Sequence, residues 1–474
     1  MNKHIYLIIA LLLTNLHIHA QDVAPMIQTN WGQDYPYNLF CPLDSTGNRT
    51  LAGCESVAMA QVLNHLGVKS NLVPELIRDC GISTFTRYGK DASITSSAML
   101  GMDAMKRLFN CSPYMNKVSR NEYHGEEGKQ EWSSLITNEL RQGRVVIISG
   151  WSKKIGHTFI LDGLKGNLVH VNLGWDGCHD GYYPLDSLYQ YSLKNTAIMD
   201  IGDSTYVPRI DTINVKQAGT LQAMMQNRPW RQIRHLCVVG SINDDDIRWL
   251  RTMAKSDEDK KQYSRLRTLD LSATDMTYLP DSAFIYCFRL TYIQLPKKLE
   301  TIGRFAFKYD YYLNQVDMPP TVKRIRLDAF ACCSQLLDIK IPEGVSKILS
   351  YSFIGCLYLT NVQLPSTIDT IGVSVFERCS HLENLYIPAS VTQIGESITK
   401  DCPNVKIHID AHNPKYMVIN GKICERKTHK PLDKIYPIMK PMITRPPLHF
   451  YRTYKYTYKI VKGKRVLIKC VGIK

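Results

Sequence analysis

At 474 residues the chain is longer than one hydrophobic core ordinarily organises, so two or three domains are expected. With 44% hydrophobic and 21% charged residues, its composition is that of a folded protein and excludes wholesale disorder. The formal charge of +15 is concentrated, since residues 411–474 carry sixteen Lys/Arg against two Asp/Glu; basicity is a property of the tail, and no nucleic-acid role is expected.

The chain opens with Lys3, an apolar run from Ile5 to Leu13 and then His19-Ala20-Gln21, which reads as a signal peptide over residues 1–20 cut after Ala20. The run is short for a bilayer span and no later stretch is apolar enough to be one, so no transmembrane segment is expected. The expected location is therefore secreted, or held at the cell surface. Fourteen cysteines in an exported chain invite disulfides, but domains of this size fold without staples.

Residues 53–67, GCESVAMAQVLNHLG, predict a helix apolar on most of its circumference and stopped by Gly67, hence a buried central helix. Cys54 stands at its start, where unpaired N–H groups and the helix dipole favour a thiolate, the reactive form of cysteine. Further on, 156–164 and 168–175 alternate like strands around a turn at 165–167, which predicts a β-hairpin carrying His157. A turn centred near Lys165 places Asn172 across from His157, to within a residue or two. An amide oxygen there holds an imidazole in the tautomer that accepts a thiol proton, and thiolate and imidazolium then form an ion pair. The Cys54 N–H and the Gln33 side chain are the candidate oxyanion donors.

Five ordered blocks carry a resemblance: Trp31-x-Gln33-x-x-Pro36-Tyr37-Asn38, Cys41-Pro42, GCESVAMAQVLNHLG, GHTFILDGL and HVNLGWDGCHDGYY. Over roughly residues 26–203 the chain resembles the streptopain family of papain-like cysteine peptidases. The resemblance implies Cys54 as nucleophile, His157 as base, Gln33 as oxyanion donor, and Asn172 and Trp175 as residues around the histidine; Trp175 and Gly156 are the expected substrate-site support. Leu173 stands where the family carries a tryptophan, the stretch from Ala20 to Trp31 leaves no room for the family's N-terminal propeptide, and the interval from Cys54 to His157 is short. Latency achieved differently or an enzyme born active are the two expectations. No cofactor is implied, and no metal: Cys178 and His179, between Asp176 and Asp180, have no second ligand pair at suitable spacing. His65 and His170 read as structural.

Phe284, Phe307, Phe330, Phe353 and Phe376 then fall 23 residues apart, in step with columns of Leu, Ile/Val, Pro and Ile such as Pro296, Pro319, Pro342, Pro365 and Pro388. A fixed period of this kind predicts a solenoid in which each unit ends a short strand at the proline and turns at the phenylalanine. Cys287, Cys333, Cys356, Cys379 and Cys402 share one repeat position and read as a buried thiol ladder. The pattern resembles BspA-type leucine-rich repeats over about residues 208–434, with an N-terminal cap at 233–253 and a closing hairpin near 413–422. The tail, around Tyr451 to Lys464, alternates and reads as a basic, aromatic hairpin.

The expected architecture is multidomain: a signal peptide (1–20), an α+β papain-like peptidase domain (21–205), a linker and small cap (206–265), a leucine-rich repeat solenoid (266–410), and a C-terminal hairpin with basic tail (411–474). The expected function is a cysteine endopeptidase acting on protein or peptide substrates through a Cys54 thioester, with repeats that hold substrate or a host or bacterial surface ligand. The competing expectation is an adhesion protein with an inactive peptidase-like domain.

Overall fold

The computed structural model describes residues 22–84, 86–95, 98–255 and 265–432, and the backbone of 453–461 and 464–473. The expected signal peptide lies outside the described residues. Residues through Asp433 form one compact unit and Lys434–Lys474 a second.

The first unit begins with α1 (Cys54–His65), α2 (Val73–Ser83) and α3 (Ala98–Leu108), followed by β1 (Asn116–Ser119) and α4 (Gly125–Arg141). Then come β2 (Val146–Trp151), β3 (Gly156–Lys165), β4 (Leu168–Asn172), β5 (Gly181–Pro184) and β6 (Leu193–Met199). The strands form one sheet in the order β1-β6-β2-β3-β4-β5. Helix α1 is buried from Glu55 through Leu63, as an almost uniformly apolar helix must be. Val57, Ala58 and Val62 pack with Ile147 and Ile160 on one face of the sheet, while Trp132 and Ile136 of α4 pack with Phe159, Val171 and Leu173 on the other. Strand alternation assigns those faces up to Leu161, with Ile160 toward α1 and Phe159 and Leu161 toward the second core; beyond the register shift Leu164 joins the second core as well.

The hairpin of β3 and β4 turns at Gly166-Asn167, with Lys165 opposite Leu168. A register shift between Leu161 and Gly163 then leaves Asn172 opposite Ile160 rather than near His157. Both the later turn and the bulge move β4 along its partner.

Strands β7 (Asp211–Val215), β8 (His235–Gly240) and β9 (Thr268–Thr274), with α5 (Leu221–Met225) and α6 (Asp244–Ala254), cap the repeats. Helix α6 starts on a capping box in which Asn243 accepts from the backbone and Asp246 reaches back. Beyond β9, short parallel strands pair at an offset of 23 residues, as in Tyr292 with Gln315 and Thr301 with Arg324. The phenylalanines are fully buried and stacked, Phe307 on Phe330 with centroids 5.0 Å apart. The cysteine column does more than fill space: Cys333 Sγ donates to the Phe307 carbonyl at 3.1 Å and Cys402 Sγ to that of Phe376 at 3.0 Å. Cys333, Cys356, Cys379 and Cys402 thus each tie their own turn to the one before, while Cys287 reaches the Arg251 carbonyl of the cap at 3.9 Å. All thirteen cysteines among the described residues are free. Tyr416–Ile419 pairs with Lys422–Glu425 as the closing hairpin. In the second unit, Thr453–Val461 pairs antiparallel with Lys464–Ile473.

The peptidase-like part and the repeats meet through buried polar groups. Glu122 Oε2 accepts from Arg267 at 2.7 Å and its Oε1 faces Arg289 at 2.8 Å. Asp200 accepts from Arg234 at 2.7 Å, and Asn314 donates to Asp103 at 2.7 Å.

Candidate active site

Cys54 is the first residue of α1. Gly53 before it has φ 93°, a conformation that an added β-carbon would strain, and the chain uses it to turn directly into the helix. The Cys54 N–H is one of the four leading helical donors that have no intrahelical acceptor. Gln33 lies beside this turn: its carbonyl accepts the Ala52 N–H at 3.0 Å, and its side chain is half-buried.

Strand β3 brings the histidine to the same place. The Cys54 sulfur lies beside Thr158, the residue following His157, whose N–H and hydroxyl favour its thiolate form. The His157 ring is buried against Trp175, with centroids 4.7 Å apart, and Tyr191, at 4.9 Å. Tyr191 is also within electrostatic reach of the Cys54 sulfur. His157 Nε2 lies 2.8 Å from the Leu173 carbonyl oxygen. A carbonyl oxygen only accepts, so Nε2 carries the proton and Nδ1 keeps its lone pair as a base. Gly156 is exposed and has Trp151 over it, so that a β-carbon would come within 3.1 Å of the indole.

Asn172 does not meet the imidazole. Its Oδ1 accepts from Gln61 Nε2 at 3.0 Å and from the Gly174 N–H at 3.1 Å, and its Nδ2 donates to the Thr29 carbonyl at 2.8 Å. The register shift in β3 and the parity of the strand turn it toward α1, where it fastens the helix to the hairpin. The expected orienting role therefore corrects to the Leu173 main chain. The tryptophan missing at Leu173 is not missed by the ring either, since Trp175 and Tyr191 supply the aromatic contacts.

Burial works against the expected ion pair. Burial pushes the Cys54 thiol above its ordinary range, the neighbouring Glu55 charge adds to this, and the Thr158 hydrogen bonds only partly oppose it. Burial lowers His157 to about 4, against a smaller opposite effect of the Leu173 carbonyl. Both shifts favour the neutral thiol and the neutral imidazole, because a charged pair in this place must shed its water.

Among the described residues no group of three or more His, Cys, Asp and Glu is placed to hold a metal. Asp176 accepts from the Tyr37 hydroxyl at 3.1 Å, Asp180 from the Leu173 N–H at 2.7 Å, and His170 Nδ1 pairs with Asp162 at 2.6 Å. Three residues at the site were not singled out from the sequence: Thr158, Tyr191 and Gln61. Thr158 was within reach, being the strand neighbour of His157, and Gln61 is a buried polar position on an apolar helix. Tyr191 lies beyond the hairpin, and only tertiary packing reveals it.

Comparison with known proteins decides the kinship of the two halves. Residues 31–69 and 67–183 match the Peptidase C10 family, and residues 277–406 match the BspA type Leucine rich repeat region in six copies. The chain thus joins a segment like the streptopain family to BspA-type repeats. Streptopain of Streptococcus pyogenes is 35% identical over 122 residues, covering 26% of this chain and 29% of that protein. The thiol protease/hemagglutinin PrtT of Porphyromonas gingivalis is 24% identical over 238 residues, covering 39% and 26%. The chain therefore spans less than a third of the length of these relatives. Among solved structures, active interpain A of Prevotella intermedia, a cysteine protease, matches with 22% identity and a TM-score of 0.33, covering 37% of this chain and 94% of that one. The C10-like part and the repeats together make a multidomain chain of a peptidase-type α+β domain and a leucine-rich repeat solenoid.

Proposed function

We propose that the chain is a secreted cysteine endopeptidase in which Cys54 is the nucleophile and His157 the general base, with the repeats holding substrate or a surface ligand. The observation that carries the reading is the Nε2 to Leu173 carbonyl contact of 2.8 Å, which leaves Nδ1 unprotonated on the strand whose next residue, Thr158, acts on the Cys54 sulfur. In the reaction, Nδ1 takes the thiol proton as sulfur attacks the substrate carbonyl. The oxyanion meets the Cys54 N–H and the Gln33 amide. Collapse of the tetrahedral species breaks the peptide C–N bond, and the leaving amine takes the proton from His157. Water then attacks the thioester, gives a proton to Nδ1, and releases the acid and the restored thiol. Because both groups rest neutral, proton transfer accompanies attack instead of preceding it.

Secretion rests on the character of residues 1–20, and the binding role of the repeats on their solenoid surface; tethering raises the local concentration of substrate at the catalytic part. The reading is tested by cleavage of an unfolded, fluorescently labelled protein. Wild type should release peptides, while Cys54→Ala and His157→Ala should each lose at least ~1000-fold in rate, as such residues do when they act as a unit. Equal cleavage by wild type and Cys54→Ala would discard the assignment and leave a repeat-bearing interaction protein.

A further inference from the structure

At the junction of the C10-like part and the repeats lies a cavity of about 210 Å³, outside the site already described. Lys117, Ser119 and Thr196 line it from β1 and β6, and Arg289, Thr291 and Tyr312 from the first repeats. The arrangement follows from topology. Strand β1 is the edge of its sheet; Lys117 and Ser119 alternate onto one face, and Thr196 stands opposite Ser119.

The carboxylate nearest at hand is already engaged. Glu122 gives one oxygen to Arg267 and the other to Arg289, at 2.7 and 2.8 Å. The Lys117 ammonium has no ion pair or hydrogen bond among the described residues, and lies 5.9 Å from the Tyr312 ring centroid. Glu55, Glu122 and Asp103 act on it only through their field, while burial and the Arg289 charge press it toward the neutral form. A half-buried cation without a partner is poorly compensated, and something of opposite charge beside it is favourable. Thr291 and Thr196 already donate to the carbonyls of Arg267, at 3.1 Å, and Ser149, at 3.5 Å; the Ser119 and Tyr312 hydroxyls border the same space and can donate to an oxygen acceptor.

We propose that this cavity is a binding site for a small oxyanion, a carboxylate or a phosphate, held by Lys117 with the Ser119 and Tyr312 hydroxyls and bridging the two halves of the molecule. The volume accommodates several water molecules or one such ion. Because strands of one part and repeats of the other both line it, an occupant contacts both and stabilises their junction by mass action.

The test uses the full chain. Equilibrium dialysis with radiolabelled inorganic phosphate, and in a separate arm with radiolabelled acetate, is run at constant ionic strength against chloride. Saturable binding of one ion per chain is expected, and the stronger arm names the class. Lys117→Gln should weaken it about tenfold or more, the loss of one charge-assisted contact, whereas Lys117→Arg should retain it. Folding of each variant is read from its near-ultraviolet circular dichroism, and exposed Lys90→Gln is the control for general charge. No saturable binding in either arm, binding unchanged in Lys117→Gln, or equal weakening in Lys90→Gln would overturn the proposal.

Discussion

At Leu173 the main chain does what a side chain was expected to do. Any residue there presents the same carbonyl to His157 Nε2, so the departure from the family's tryptophan leaves the tautomer of the base untouched. Asn172, by contrast, is bound to Gln61, Gly174 and Thr29. Its replacement by Ala should therefore lower stability through unmet buried partners, by about 1–3 kcal/mol, and leave the pH dependence of kcat/KM in place. A displacement of the acid limb by a full pH unit would show instead that Asn172 governs the imidazole. Cys54 offers the second prediction at this scale. Its thiol is raised by burial, so the thiolate fraction is below that of an ordinary cysteine at pH 7 and grows about tenfold per pH unit up to the thiol's own pKa. In a Cys178→Ser background, which removes an exposed thiol, alkylation of Cys54 by iodoacetamide followed by mass spectrometry should climb steadily from pH 6 to 9. A flat profile across that range would mean a standing thiolate–imidazolium pair.

Among elements, the helix bearing Cys54, the hairpin bearing His157 and the 23-residue solenoid were legible because each is written in a local period. The uniform apolarity of residues 54–65, the alternation of 156–165 and the Phe and Pro columns each report one face or one turn. What the sequence hid was register. A turn one to two residues later than expected and a bulge at Asp162 move Asn172 to the other side of the sheet, and neither leaves a compositional mark. The cysteine column was legible as buried, but its hydrogen bonds to the phenylalanine carbonyls were not, since they span consecutive turns. Glu122 was equally silent, because its partners Arg267 and Arg289 lie far along the chain. Replacing Glu122 with Gln removes the charge from between two guanidinium groups, and should cost about 3–5 kcal/mol in urea unfolding. A loss below about 1 kcal/mol would place the cluster with ordinary surface ion pairs.

On the scale of the molecule, the C10-like part and the repeats share the Glu122, Asp200 and Asp103 contacts within one compact unit. Their unfolding should accordingly be concerted. Tryptophan fluorescence, from Trp31, Trp132, Trp151 and Trp175 on one side and Trp230 and Trp249 on the other, should report the same thermal midpoint as far-ultraviolet circular dichroism. Two separated transitions would mean that each half folds alone and that the junction is weak. The measurement closest to the central claim is trapping of the acyl-enzyme: an activated ester is mixed with the protein at neutral pH, quenched in acid within the first turnover, and peptide-mapped. Wild type should carry one acyl group, on Cys54, and His157→Ala should carry none on the same timescale; acylation at Cys178, or equal acylation of Cys54 without the histidine, would contradict the account.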